Sequence, residues 1–82
     1  MSSTYTWQNA VNACAAISGW RLPTISELQS YWSAGGPFNS SSYDYWSSTE
    51  YGATYAYSLA SGNGGQYGLN KTSNFRVICV SP

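Results

Sequence analysis

The sequence predicts an α+β domain in which two helices pack on a small, mostly antiparallel sheet. Three observations point there. Apolar residues recur with a helical period in the first half of the chain, and that period disappears after Pro37. The second half alternates aromatic and polar residues between glycine-rich turns. The closing run "FRVICV" is apolar on both parities, as expected of a central strand covered on both faces.

The first helix lies in "TWQNAVNACAAISG", where Trp7, Ala10, Val11, Cys14 and Ile17 fall on one face at i, i+3, i+4, i+7 spacing. Thr6 stands at its N-cap position, and Ser18-Gly19 supplies a stop. The second helix is announced by "PTISEL", in which Thr24 and Glu27 have the spacing of a capping box. Leu28 is then free to pack back on Leu22 or Pro23. Ile25, Leu28 and Trp32 form the apolar face, and Gly35-Gly36-Pro37 ends the helix. "FNSSS" reads as a loop. Strands are predicted over 45–50, 54–60, 66–70 and 75–80, with Gly62-Asn63-Gly64-Gly65 as the hairpin turn between the second and third. No internal repeat or long linker divides the chain, so residues 1–82 read as one domain.

Composition narrows the chemistry. Only 7% of residues are charged, with Arg21, Arg76 and Lys71 balancing Glu27, Asp44 and Glu50. Three cations neutralise few phosphates, so no nucleic-acid partner is expected, and strong attraction to anionic membranes or sulfated polymers is disfavoured. No apolar run approaches the roughly 18 residues of a membrane span, so membrane insertion is not expected. Aromatics at 17% give a small chain material for a substantial core. There is no histidine, and the two cysteines are far apart, so neither a metal nor another cofactor is expected. Cys14 and Cys79 read as a disulfide, with two buried free thiols as the alternative. A disulfide closing so long a loop stabilises by roughly 4 kcal/mol on the loop-entropy argument, and it implies an oxidising compartment. An enzyme is not expected. No histidine can serve a nucleophile as base, and Glu27, Asp44 and Glu50 are too isolated to form a converging carboxylate pair. "MSST" carries neither the basic nor the apolar region of a signal peptide. The segment therefore reads as a module of a longer exported protein.

Three blocks, "TW…A…C", "WRLPTISEL" and "YWSSTE" with a closing "RVICV", span nearly the whole chain in order. Their succession resembles the C-terminal domain family of the Legionella collagen-like adhesin, within the broad group of C-type-lectin-like folds. The resemblance implies a compact C-type-lectin-like domain with its termini on one side and a variable loop-and-strand surface opposite. It also implies that Cys14 and Cys79 form the disulfide joining first helix to last strand. The implied setting is the C-terminal end of a bacterial surface protein or pilus-like appendage, extracellular or at the cell surface. No "EPN", "QPD" or "WND" triplet is present, and calcium needs six to eight oxygen ligands. The implied function is thus calcium-independent binding of a glycan or host surface. Binding of sulfated polysaccharides by the adhesin is not carried over, because cations are so few. Two alternatives remain: a protein-binding variable domain on a lectin-like scaffold, as in diversity-generating systems, and a structural, trimerising C-terminal cap. Oligomers are expected, if at all, through the parent protein.

Individual residues sort into two groups. Trp20, Arg21, Thr24, Glu27 and Trp46 read as structural: Arg21 bonding carbonyls or a carboxylate, Glu27 capping, Trp46 buried. The candidate binding surface comprises Tyr43, Asp44, Tyr55, Tyr57, Asn63, Gln66, Tyr67, Asn70 and Lys71. Tyr55 and Tyr57 share one strand face. Tyrosine offers contact area with a polar tip, and Asn63, Gln66, Asn70 and Lys71 lie on neighbouring turns to supply hydrogen bonds. The competing reading packs the tyrosine face against the rest of the domain.

Overall fold

The computed structural model describes residues 4–35 and 44–81. In chain order it contains α1 (Trp7–Ala15), α2 (Ile25–Ser33), β1 (Asp44–Glu50), β2 (Tyr55–Ala60) and β3 (Gly65–Asn70). The strands form one antiparallel sheet in the order β1-β2-β3. Gly36, Pro37, the "FNSSS" loop and Tyr43 lie outside the described residues.

Both helices begin as the sequence indicates, with different end chemistry. Thr6 is the N-cap of α1 by backbone conformation, but its side chain makes no capping hydrogen bond. Trp7, Ala10 and Cys14 turn inward. Ile17 corrects the expected apolar stripe. The helix ends at Ala15, and a turn through Gly19 at φ 78° takes Ile17 off the helical period, leaving it 42% exposed. At α2 the capping box is complete: the Glu27 N–H donates to Thr24 Oγ1, and the Thr24 N–H donates to Glu27 Oε1 at 2.8 Å. Leu28 does not pack back on Leu22. It joins Tyr45 and Leu59, directly opposed residues of β1 and β2, while Leu22 enters a different cluster.

That division into two clusters follows from the pleat. Tyr45 and Trp46 are successive, so their side chains point to opposite faces of the sheet. On one face Trp46 and Ala56 pack with Trp7, Ala10 and Cys14 of α1. On the other, Tyr45 and Leu59 pack with Leu28 of α2, flanked by Ile25 and Trp32. Trp32 also holds the hairpin: its indole N–H donates to Ser61 O at 2.8 Å, and its ring lies where a Cβ on Gly64 would stand. Gly64, at φ 71°, closes the turn by donating to Ala60 O at 2.7 Å.

The ladder between β1 and β2 is interrupted. Trp46 faces Ser58, but Glu50 faces Ala56, so β1 carries extra residues between the two pairs. Other partners take over from the missing ladder bonds. Ser47 Oγ donates to Tyr57 O at 2.7 Å, and Thr49 Oγ1 accepts from the Ile25 N–H at 3.0 Å. The Ser48 N–H donates to Pro23 O at 2.8 Å.

The closing segment is the main departure from the expected strands. Residues 75–80 form isolated bridges, not a continuous fourth strand: Phe75 with Tyr5, Arg76 with Tyr45, and Val80 with Arg21. Its neighbours change along its length, so no single partner strand runs beside all of it. Its side chains still alternate as those of a two-sided strand. Val77 is buried with Trp46, and Ile78 packs on the Tyr45–Leu59 cluster. Cys79 is bonded to Cys14, with their Cα atoms 5.4 Å apart across 65 residues of sequence.

Removing this crosslink with Cys14→Ala and Cys79→Ala together frees a loop of that length in the unfolded chain and should cost about 4 kcal/mol. For a domain of this size that is a fall in Tm of about 15 °C or more, read by thermal melting. An unchanged melting temperature would mean that the disulfide contributes nothing to stability.

Candidate functional site

The sheet face that carries α2 is covered over only part of its length. Cross-strand pairing places Tyr45 opposite Leu59, Tyr57 opposite Gly68 and Tyr55 opposite Asn70, all on this face. The Tyr45–Leu59 end is packed by α2. Towards the other end, Tyr57 is half-buried and Tyr55 is 42% exposed. The tyrosine face is therefore packed at one end and open at the other, which combines the two readings the sequence allowed.

Tyr51 completes the open end. Its N–H donates to Tyr55 O at 2.8 Å, closing the short connection from β1 to β2 in which Gly52 takes φ 131°. The Tyr51 ring lies edge-to-face with Tyr57, centroids 5.0 Å apart, and occupies the space a Cβ on Gly68 would need. It remains 60% exposed. Tyr51, Tyr55 and Tyr57 thus form one aromatic platform beside Asn70. A tyrosine next to a turn glycine, with a second glycine inside a strand, is the sequence signal that could have found Tyr51.

The chain matches the family described as Lcl C-terminal domain over residues 1–81. It belongs to that family. No curated protein matches it. Membership of the Lcl C-terminal domain family fits a domain of a collagen-like adhesin, and together with the disulfide it fits an extracellular or cell-surface location. No described helix is long and apolar enough to cross a membrane. Among the described residues no three His, Cys, Asp or Glu side chains gather as a metal ion would require.

The remaining candidates of this Lcl C-terminal domain fall into two places. Asn70 and Lys71 adjoin the platform, but much of their bonding is internal. Asn70 Oδ1 accepts from the Thr72 N–H at 3.0 Å and its hydroxyl at 2.7 Å, fixing the turn after β3. Lys71 Nζ donates to Ala53 O at 3.2 Å, stands 3.6 Å from Glu50 Oε1, and lies 4.3 Å over the Trp7 ring. Lys71 is a strut that ties the Tyr51–Tyr55 connection to α1. Asp44, Asn63, Gln66 and Tyr67 lie towards the hairpin end, from about 10 Å (Tyr67, opposite Ser58 and on the α1 face) to about 17 Å (Asp44, opposite Ala60) from Tyr55 along β2. There Asn63 caps Gly65 and reaches the Tyr67 hydroxyl, while Gln66 donates to Gln29 Oε1 at 2.9 Å beside an open groove along α2. Burial raises the Asp44 carboxyl above its usual range. The structure does not bring the two groups together, and Tyr43 lies outside the described residues.

The residues read as structural occupy different environments. Trp46 is fully buried, its indole N–H donating to Tyr5 O at 2.8 Å. Arg21 grips Glu27 with two hydrogen bonds of 2.7 and 2.8 Å. Trp20 sits at the surface, 41% exposed, in the same connection as Ile17. The Arg21 guanidinium, backed by the Thr24 N–H, holds the Glu27 carboxyl down to about 2, against an ordinary value of 4.5.

Because the folded-state value is the lower one, the Glu27 contribution to stability is full above about pH 4.5 and is lost as pH falls towards 2. Both side chains are partly exposed, so the effect is small, a few degrees in Tm. Glu27→Gln should melt below the native protein at neutral pH, and the gap should close by pH 2. A constant gap across that range would remove the charge from the explanation. For the strut, Lys71→Ala should cost about 1 kcal/mol from the lost cation–π contact and ion pair. Faster amide exchange at Lys71 itself, whose N–H donates to Thr54 O, should accompany it. Unaltered exchange there would show that Lys71 does not hold the connection.

Proposed function

We propose that this domain is a non-enzymatic recognition module that binds a glycan or host surface without calcium. The aromatic platform of Tyr51, Tyr55 and Tyr57 is its contact surface. The observation that carries this reading is the half-covered sheet face: tyrosine rings are exposed where α2 does not reach, in a domain of an adhesin family. Exposed aromatic rings held by their neighbours present large contact area at little entropic cost.

Freedom from calcium rests on the carboxylates. Glu27 is engaged by Arg21 and the Thr24 N–H, Glu50 is paired with Lys71, and Asp44 lies at the far end of β1. Three carboxylates so dispersed do not make a six- to eight-oxygen cage. Assignment to the C-type-lectin-like group draws support from the disulfide between α1 and the closing segment. The same resemblance supports placing the domain at the C-terminal end of a surface appendage.

A glycan array probed with the native domain, with and without EDTA, tests the reading. Binding should appear, survive the chelator, and fall about tenfold or more in Tyr55→Ala, since one stacked ring is worth on the order of 1–2 kcal/mol. Loss of all binding in EDTA would reinstate calcium, and an empty array would remove the glycan.

A further inference from the structure

We infer that the ligand is an uncharged saccharide, stacked on the rings of Tyr51 and Tyr55, with Gly68 as the seat that sets the floor of the site. This rests on the recognition reading above and narrows it to a ligand class and to a residue, Tyr51, that supplies most of the exposed area.

Area decides first. A tyrosine side chain presents about 150–250 Å², so rings 60% and 42% exposed offer on the order of 200 Å² between them. A stable protein interface takes about 800 Å² from each partner, roughly four times as much. A short run of pyranose rings matches the smaller area. Their axial C–H faces are apolar and suit an aromatic floor, and the exposed Tyr51, Tyr55 and Asn70 side chains carry hydrogen-bonding groups suited to ring hydroxyls.

Charge decides second. Recognition of a sulfated or uronic acid saccharide needs cations aimed at the ligand. Lys71, the cation beside the platform, is held by Glu50, Ala53 O and the Trp7 ring, with 18% of its side chain exposed. Arg21 is bound fork to fork with Glu27, and Arg76 is half-buried next to β1 and already engaged. Glu50 directly precedes Tyr51 and is more than half exposed, so the nearest accessible charge repels an anion.

Pre-organisation decides which ring matters. Tyr51 is the most exposed of the large hydrophobic side chains among the described residues, yet its ring meets Tyr57 edge-to-face and lies against the bare backbone of Gly68. A Cβ at Gly68 would come within 2.7 Å of Tyr51 Cδ1. Gly68→Ala therefore moves the ring while leaving every tyrosine in place, and it requires no change of backbone conformation, since Gly68 is not among the positive-φ glycines.

The test is an NMR titration of the full chain. Cellohexaose, maltohexaose, mannohexaose and the N-acetylglucosamine tetramer serve as uncharged probes, and heparin hexasaccharide as the charged one, at about 50 mM and about 300 mM NaCl. At least one uncharged probe should shift the amides of Tyr51, Tyr55 and Gly68, with an affinity that changes less than about twofold between the two salt concentrations. Tyr51→Ala and Gly68→Ala should each weaken it about tenfold or more, and Tyr51→Phe should keep most of it. Thermal melting confirms that each variant is folded. Binding of heparin hexasaccharide alone, with affinity falling steeply with salt, would overturn this inference and leave glycan recognition standing. So would shifts confined to Asp44, Asn63 and Gly65 at the hairpin end of the sheet. Silence with all five probes would overturn the inference, and the empty array described above would then remove the glycan reading with it.

Discussion

Midway along β1 the chain exchanges one hydrogen-bonding partner for another, and the rest of the structure is arranged around that exchange. Up to Trp46 the strand follows β2, with Tyr45 opposite Leu59 and Trp46 opposite Ser58. Over the next three residues the Ser48 N–H goes to Pro23 O, Thr49 Oγ1 receives the Ile25 N–H, and Ser47 keeps contact with β2 through its hydroxyl. Buried backbone groups left unpaired are costly, so the bulge must find new partners for the Ser48 N–H and Tyr57 O, and α2 an acceptor for the Ile25 N–H of its first turn. Making these bonds fastens the first turn of α2 to the sheet. The N-terminus of α2 is itself closed by Thr24, Glu27 and Arg21, so a single short region sets the start of the helix and where it meets β1. The "LPT" and "WSST" strings are far apart in sequence and act as one joint.

This joint also governs which part of the sheet stays open. With its start fixed at Thr49, a helix of nine residues reaches from Ile25 to Ser33, and its ring at Trp32 meets the hairpin at Ser61 and Gly64. The helix therefore lies towards the β2–β3 turn and leaves the opposite end of that face to the tyrosines. The two strand glycines do related work at the two ends of β3 and on opposite faces of the sheet. Gly65 lies under the Tyr67 ring, and Gly68 lies under Tyr51. A glycine in a strand lacks side-chain packing and loses more entropy on folding, and an aromatic ring laid over it recovers contact. The platform and the stability of the edge strand β3 are in this sense the same feature.

Much of this was legible from residue pattern alone. The helical period placed α1 and α2, the Thr24–Glu27 spacing marked a capping box that forms, and the strand bounds agree within a residue for β1, β2 and β3. These are local signals, set by residues close together along the chain. What was not legible depends on the third dimension. Ile17 matched the helix period, but the period says nothing about a chain that has already turned at Ala16. The closing run looked like an ordinary strand because its two-sided burial is real at Val77 and Ile78, while its partners, Tyr5, Tyr45 and Arg21, are scattered along the chain. The candidate surface was read as one group from proximity along the chain. Antiparallel pairing separates it, because residues near the hairpin and residues near the strand ends lie at opposite ends of the sheet.

The charges show how a nearly neutral chain can be both held together and sparing in what it offers a ligand. Arg21 is spent on Glu27 at the start of α2, and Lys71 on Glu50, Ala53 and Trp7 at the end of β3. Each fixes a connection: the first anchors the chain entering α2, the second the connection that carries Tyr51. Surface ion pairs are individually weak, so their worth here lies in position more than in energy. Lys71 gains from sitting over an indole that is itself tied down, because the Trp7 indole N–H donates to Ser47 O at 2.8 Å within the bulge of β1. The route from the bulge to the platform thus runs through Trp7 and Lys71. A side chain that the sequence offers as a hydrogen-bond donor for a ligand also braces the connection that carries Tyr51.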